Sequence, residues 1–358
     1  MISKKRQIKI WALAAVLLSL IYLLTHRVCP AVKYHTYPRP HPVLLGNTTH
    51  SSPAQTNLTT NLVVASTAKD DISWTDNLYN DIPNLTILRY VSDSRTSRFH
   101  PPVAKGREAL MYFTYLHDFY DSLPDVSVFI HAEETPWHLE GTLLQNISFA
   151  LAQLDLTRVV EERGYFNLRV TWRAACPAWI DTRKTFENWE KQEEPYMPEA
   201  WEANFDDPVP DILAGPCCSQ FAVSRAAIQR RPREQYKRSI KWLVETSWSD
   251  HIVGRVWEHM WPWLFKEEAK DCAPEKESLC QMYGICFENA RQMEAYKELW
   301  EERERLKEDM SFLRASWAPG RAAEARKKMN KVGDEIERQL SEAWKRGRAS
   351  KAKAVVER

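Results

Sequence analysis

Two histidines and two glutamates, His131, Glu133, Glu134 and His138, stand in one short stretch directly after the apolar run Val126 to Ile130. Imidazole and carboxylate side chains at this spacing suit a divalent cation. His131 and Glu133 are the first candidates for holding Mn²⁺ or Mg²⁺, which take hard oxygen ligands and leave positions open for phosphate. Alternatively, Glu133 or Glu134 could act as a general base toward a hydroxyl, its pKa raised by partial burial and by the like charge next door. Neighbouring residues at the end of an extended strand point to opposite sides, so the two glutamates seldom share one site.

Three further groups carry polar chemistry. Arg107 and Glu108 precede a helix; the arginine could grip a diphosphate through two hydrogen bonds, a geometry lysine cannot copy, and a glutamate there also suits the helix dipole. Gln220, Ser224 and Arg225 surround the end of a short strand beside the adjacent cysteines Cys217 and Cys218. Glu245, Asp250 and Arg255 sit around a turn between two helices. Glu245 or Asp250 is the second choice for a catalytic base, with an Asp250–Arg255 ion pair as the plain structural alternative. Serine and histidine residues are present, but no G-x-S-x-G nucleophile elbow occurs, which argues against a hydrolase of that type.

The elements that must position these residues follow from the hydrophobic pattern. A helix over Ala109 to Tyr120, a turn at Leu123-Pro124-Asp125 and a buried strand at Val126 to Ile130 form the centre. Leu85 to Val91 reads as an earlier strand, Leu143 to Leu154 as a helix and Tyr165 to Trp172 as an alternating strand. Thr182 to Asp211 reads as a polar insertion with surface loop and short helix. Gln220 to Val223 is a short strand. Pro232 opens a helix faced by Tyr236, Ile240 and Leu243, and Ser247 with Asp250 suggests a capping box for the next. Strands alternating with helices predict an α/β fold with a mainly parallel sheet flanked by helices over residues 72–287. Ligands in such sheets gather beyond the carboxyl ends of the strands.

Composition narrows the class. In 358 residues, 49 Lys+Arg against 48 Asp+Glu give a net charge of +1, so nothing pulls the chain toward nucleic acid. Fifteen Trp predict a large packed core, with some rings free to line a sugar or aromatic site. Only ten Gly are present and no nucleotide-type glycine loop is visible. Cys176, Cys217, Cys218, Cys272, Cys280 and Cys286 lack tight zinc spacing and predict up to three disulfides of open connectivity.

The ends of the chain differ from its middle. A basic tail (residues 1–9) precedes an apolar run that is expected to be a transmembrane signal anchor (residues 10–25), with a cleaved signal peptide as the alternative. The positive-inside rule then leaves the bulk of the chain luminal, and the short span suits an endoplasmic reticulum or Golgi membrane. Residues 26–71 read as a stalk rich in Pro, Ser, Thr and Asn. Asn47, Asn57, Asn84 and Asn146 begin N-x-[ST] acceptor sites, as a luminal glycoprotein requires. Residues 288–358 are charged and helical, broken at Pro319-Gly320. Leu299, Leu306, Met310, Leu313 and Trp317, and then Met329, Val332, Ile336, Leu340 and Trp344, form stripes of a helical hairpin that packs on itself, on the core, or on a protein partner.

Gly106-Arg107-Glu108, Tyr120-Asp121, Leu123-Pro124-Asp125, the run Ser219 to Arg225, the run Arg231 to Tyr236, Trp242 to Thr246 and Gly254 to Trp261 together resemble a family of fungal membrane-anchored proteins that carry a domain of unknown function. The resemblance covers roughly residues 85–287. At the level of fold the domain is similar to glycosyltransferases of the nucleotide-sugar-binding α/β type. That similarity implies a sugar moved from a nucleotide donor to a glycan or small-molecule acceptor, with the nucleoside diphosphate in a cleft near His131 and the acceptor at the region of Gln220, Ser224 and Arg225; His138 and Arg255 are further candidate substrate contacts. The chain departs from the pattern in lacking any Asp-x-Asp, the pair that ordinarily holds the metal against the diphosphate. The competing expectation is a luminal binding or scaffold protein that kept the fold without the chemistry.

Overall fold

The structure, a computed structural model, describes residues 57–310 and 319–356. The expected tail, the anchor at 10–25, the first part of the stalk with Asn47, and Leu313 and Trp317 lie outside the described residues. Among the described residues, no helix is long and apolar enough to cross a membrane.

The core is a five-stranded sheet built from β1 (Thr60–Ser66), β2 (Leu85–Val91), β3 (Val126–His131), β4 (Tyr165–Asn167) and, after a two-strand ladder of β5 (Ile180–Asp181) and β6 (Ile212–Leu213), β7 (Phe221–Ser224). The order is β2-β1-β3-β7-β4. β1 lies parallel to both β2 and β3, and β7 runs antiparallel to both β3 and β4. Four strands therefore share one direction and β7 opposes them, a mixed α/β sheet that is mainly parallel. The chain passes from β1 to β2 on one side and then returns to place β3 on the other, so strand order reverses at β1.

β1 falls inside the stretch expected to be stalk. Its apolar run is only Leu62 to Ala65 and is preceded by Asn- and Thr-rich sequence, and so short a run carries no period that separates strand from linker. In the fold it is buried on both faces, as an interior parallel strand must be.

The helices are α1 (Arg107–Asp118), α2 (Ile147–Gln153), α3 (Met197–Asn204), α4 (Arg233–Glu245), α5 (Asp250–Lys266), α6 (Glu275–Tyr283), α7 (Ala290–Asp309) and α8 (Pro319–Val356). α1 is buried all round from Ala109 to Leu116. It lies between the sheet face carrying Val63, Phe129 and Phe221 and the pair α4 and α5, in one core that also takes Trp257, Trp261 and Phe265. Rings interlock here: Phe113 contacts Trp257 at 4.4 Å and Trp261 at 5.1 Å between centroids. Three Trp are buried in this layer, among them Trp201 of α3, which the polar insertion had concealed, and Trp179, Trp242, Trp248 and Trp263 pack against it.

Three disulfides form among the described residues: Cys176–Cys272, Cys280–Cys286 and the adjacent pair Cys217–Cys218. α5 is capped by Ser249, whose hydroxyl accepts from the Ile252 N–H, rather than by Ser247. The strand expected to run to Trp172 ends at Asn167: beyond Leu168, whose N–H still donates to the Gln220 carbonyl, the Val170 and Thr171 N–H groups turn to the Glu140 carboxylate instead of a strand.

α7 and α8 pack on each other and on the domain. The buried face of α7 is Met293, Tyr296 and Trp300 rather than Leu299, Leu306 and Met310, since these side chains meet the body: Tyr296 donates to the Gly141 carbonyl at 3.0 Å. On α8, Val332, Ile336, Leu340 and Trp344 of the expected stripe are buried and Met329 is half-buried.

Candidate functional site

α1 begins at a turn in which Gly106 (φ 69°) and Arg107 (φ 50°) both lie in the left-handed region. Glycine adopts that region freely and arginine does not, so the turn needs outside support. Asp250, in the first turn of α5, supplies it by accepting the Gly106 N–H at 2.9 Å. The opening of α1 is thereby fixed at the carboxyl end of the sheet. The Arg107 stem lies over Gly254, where a Cβ would stand 3.0 Å from Cδ, and its Nη2 is 3.3 Å from Nδ1 of His251.

β3 delivers His131 to the same end. Its N–H donates to Oε1 of Gln220 at 3.2 Å, so the first residue before β7 is tied to the last residue of β3. His131 and His138 meet edge to face with ring centroids 5.2 Å apart, and each keeps a buried Nε2 with no hydrogen-bond partner. Burial lowers His131 to about 4, helped by the Arg107 charge, and lowers His138 to about 3, helped by His131 and Arg169. Both rings are neutral at physiological pH.

The carboxylates that complete the cluster come from helices. Glu108 of α1 is pushed up by burial, against a hydrogen bond from Ser219 and the Arg107 charge. Glu258 of α5 is pushed up to about 8, first by burial and then by the charge of Glu108. Its surface is only partly covered although its carboxyl is strongly desolvated, and the carboxylate lies within 4.8 Å of the Cys217 and Cys218 sulfurs, which joins that turn to the cluster. Ser219 is itself fixed by the indole N–H of Trp261 at 3.0 Å. Arg169, two residues beyond β4, donates to Sγ of Cys217 at 2.6 Å and stands 3.9 Å from Glu140. Glu140 in turn accepts the Val170 and Thr171 N–H groups. Arg107, Cys218 (φ 89°) and Ser219 (φ 43°) are left-handed non-glycine residues bordering one recess, as functional sites often show.

Beneath this lies a buried hub. Glu193 accepts from Arg255 Nε at 2.7 Å and from His259 Nε2 at 2.9 Å. Burial alone would raise Glu193, but the His259 and Arg255 hydrogen bonds outweigh it and hold the carboxyl at about 2. Arg255 therefore pairs with Glu193, not with Asp250.

Of the residues singled out from sequence, Arg107, Glu108, His131, His138 and Gln220 gather in the recess, with Asp250 and Arg255 supporting it from behind. The others stand elsewhere. Glu133 is exposed. Glu134 turns to the start of α2, accepting from Ser148 at 2.9 Å and from Asn146 at 3.4 Å. Glu245 is exposed at the end of α4. Ser224 and Arg225 are at the opposite end of the sheet: β7 runs backwards, so Ser224 pairs with Val126 at the start of β3. There Ser224 caps a helical turn and Arg225 binds Asp125 at 3.1 Å. Asn57 and Asn84 are exposed, whereas the Asn146 side chain caps α2 through the Phe149 N–H.

Glu258 and Arg169 were missed. Glu258 sits within the Gly254 to Trp261 motif, and a lone carboxylate amid Val256, Trp257, Met260 and Trp261 was the available signal. Arg169 had none, since an outward arginine on an alternating strand reads as solvated.

The cluster does not fit an oxygen-ligated divalent cation. Among the described residues, the group that brings three potential ligand atoms within 4.8 Å of one another is Cys217, Cys218 and Glu258. The two sulfurs are joined to each other and are not thiolates. The expected pairing of His131 with Glu133 for Mn²⁺ or Mg²⁺ is not assembled, because Glu133 points to solvent beyond the strand end. The cations that stand in the recess are Arg107 and Arg169.

The sequence model of the DUF3431 family, described as a protein of unknown function, matches residues 62–281. No curated protein and no solved structure matches the chain.

Proposed function

This chain belongs to the DUF3431 family, and from that premise and the geometry of the recess we propose that it is a metal-independent sugar transferase using a nucleotide-sugar donor. One observation carries the reading: two carboxyls of raised pKa, Glu108 and Glu258, meet Arg107 beyond the carboxyl ends of a parallel sheet, next to the strand where its order reverses. Crevices there receive ligands in open α/β folds. A carboxyl near 8 is matched to proton transfer at neutral pH, and charged groups of opposite sign at one locus separate the two halves of a transfer reaction.

In this scheme Arg107 binds the donor diphosphate through its guanidinium and stabilises the charge that builds as the anomeric C–O bond breaks. The acceptor hydroxyl oxygen forms the new bond to the anomeric carbon, and the nucleoside diphosphate leaves with the electron pair. The hydroxyl proton passes to whichever member of the Glu108–Glu258 pair is ionised. Neutral His131 and His138 offer nitrogen atoms for hydrogen bonds to sugar hydroxyls. Gln220 keeps His131 in place, and Asp250 keeps Arg107 in place. The three disulfides suit an oxidising compartment, in keeping with a domain held on the luminal side of a secretory-pathway membrane by residues 10–25.

The test is a thermal-shift screen of the full chain against UDP and GDP and their sugars, with and without Mn²⁺. A shift for one nucleotide that needs no Mn²⁺ and is lost in Arg107→Ala supports the proposal. Folded protein that shifts with none of them overturns it in favour of a luminal binding or scaffold protein.

A further inference from the structure

A groove of about 1100 Å³ opens between the loops after β3 and β4 and the helices α6 and α7. Its lining includes His138, Glu140 and Arg169; His138 meets the His131 ring and Arg169 donates to Cys217 beside Glu258, so the groove borders the candidate site. Of the three indoles that line it two are open to solvent: Trp137 is 78% exposed and Trp172 is 36% exposed, whereas Trp300 is buried. Neither is loose. The Trp172 ring N–H donates to the Ala273 carbonyl at 2.9 Å, and Trp137 meets the His138 ring edge to face with centroids 5.1 Å apart. Along the wall, charged groups come in opposed pairs, Arg173 with Glu301 at 3.2 Å and Lys297 with Glu275.

We infer that this groove binds a linear oligosaccharide as the acceptor, its non-reducing end directed toward His138 and Arg169. Indole faces exposed to water at a cost of apolar area are covered by the C–H faces of pyranose rings. Carboxylate and guanidinium groups on the wall accept from and donate to the ring hydroxyls. The lining carries eight glutamates against five lysines and arginines, so the wall repels anionic ligands, and a neutral glycan meets no such barrier. The volume exceeds what a single small ligand needs and suits several linked sugars. The inference rests on the transferase reading for the word acceptor, but the binding itself does not.

The experiment is isothermal titration of the full chain with cellohexaose, chitohexaose and an α-mannohexaose, each against its monosaccharide. One hexasaccharide should bind at least about tenfold more tightly than its monomer, and Trp137→Ala and Trp172→Ala should each weaken it by about tenfold. Trp189→Ala, at an equally exposed ring (82%) outside the groove, serves as the control and should bind as wild type does. No hexasaccharide binding, or wild-type affinity in both Trp137→Ala and Trp172→Ala, overturns the inference. Glycan binding without any nucleotide binding removes the transferase reading and leaves the groove standing. Nucleotide binding without glycan binding removes the groove alone.

Discussion

Glu108 of α1 and Glu258 of α5 come from helices far apart in sequence, and the charge of Glu108 adds to burial in pushing Glu258 up to about 8. The folded protein thus holds a proton that the unfolded chain, with a carboxyl near 4.5, has already released. Stability from this group is complete below about 4.5 and is lost as the pH rises to about 8. Glu258→Gln removes that loss. Its unfolding free energy from urea denaturation at pH 8 should exceed that of wild type by on the order of 3 kcal/mol, with the two nearly equal at pH 4.5. Parallel pH profiles for the two proteins would count against the shift.

His131 and His138 titrate in the other sense. Their folded values of about 4 and about 3 lie below 6.5, so the stability they contribute is complete above 6.5 and falls as the pH drops through 4 to 3. His131→Asn should flatten the acid limb of the unfolding curve over that window and leave stability at pH 8 within about 1 kcal/mol of wild type. An unchanged acid limb would mean that the ring is not desolvated.

Glu193 is the best test of the hub. It is 0% exposed and serves both Arg255 and His259. Glu193→Ala leaves His259 without its acceptor and Arg255 with only the Glu190 carbonyl, which should cost about 3 kcal/mol in urea denaturation. Arg255→Met, which also removes a charge, should recover part of that loss in the double variant. Strict additivity of the two changes would show that the groups are not coupled.

Gly254 bears first on Arg107. A Cβ there would press on the Arg107 stem at 3.0 Å. Gly254→Ala should therefore shift the guanidinium and weaken nucleoside diphosphate binding several-fold, while the melting temperature of the free protein changes by only a few degrees. Full-strength binding in this variant would separate Arg107 from the diphosphate.

Gly141 marks where α7 closes on the body. An added methyl would fall 2.2 Å from the Trp300 ring, which is too close for the indole to absorb by a small movement. Gly141→Ala should lift α7 locally, at a cost of about 1–3 kcal/mol, and raise hydrogen exchange in residues 290–309 more than in β1 to β3. Uniform exchange across the domain would argue against a local effect.

Much of this site could be read along the chain, in segments. The run from Arg107 to His138 named a helix, a turn and a strand with polar residues at its mouth, because each element is local and its pattern complete within itself. The errors came from pairings between distant segments. Ser224 and Arg225 read as site residues because a strand end looks alike whichever way the strand runs; β7 runs backwards, so its start, Gln220, meets His131 instead. Glu258 stayed hidden because a carboxylate on a buried helix face has meaning only when its neighbours are known. β1 was passed over because four apolar residues carry too little period to identify.

The amino-acid sequence by itself determined the class of this protein: an α/β fold with a mainly parallel sheet, a disulfide-bonded body, a charged helical end, and a polar cluster at the mouth of β3. These follow from local hydrophobic period and residue chemistry, which act over a few neighbouring residues. Tertiary structure alone decided which carboxyls share a recess, that Cys217 joins Cys218, and that Arg255 serves Glu193. Those outcomes depend on strand direction and on desolvation, and desolvation is a property of everything packed around a group, most of it distant in sequence.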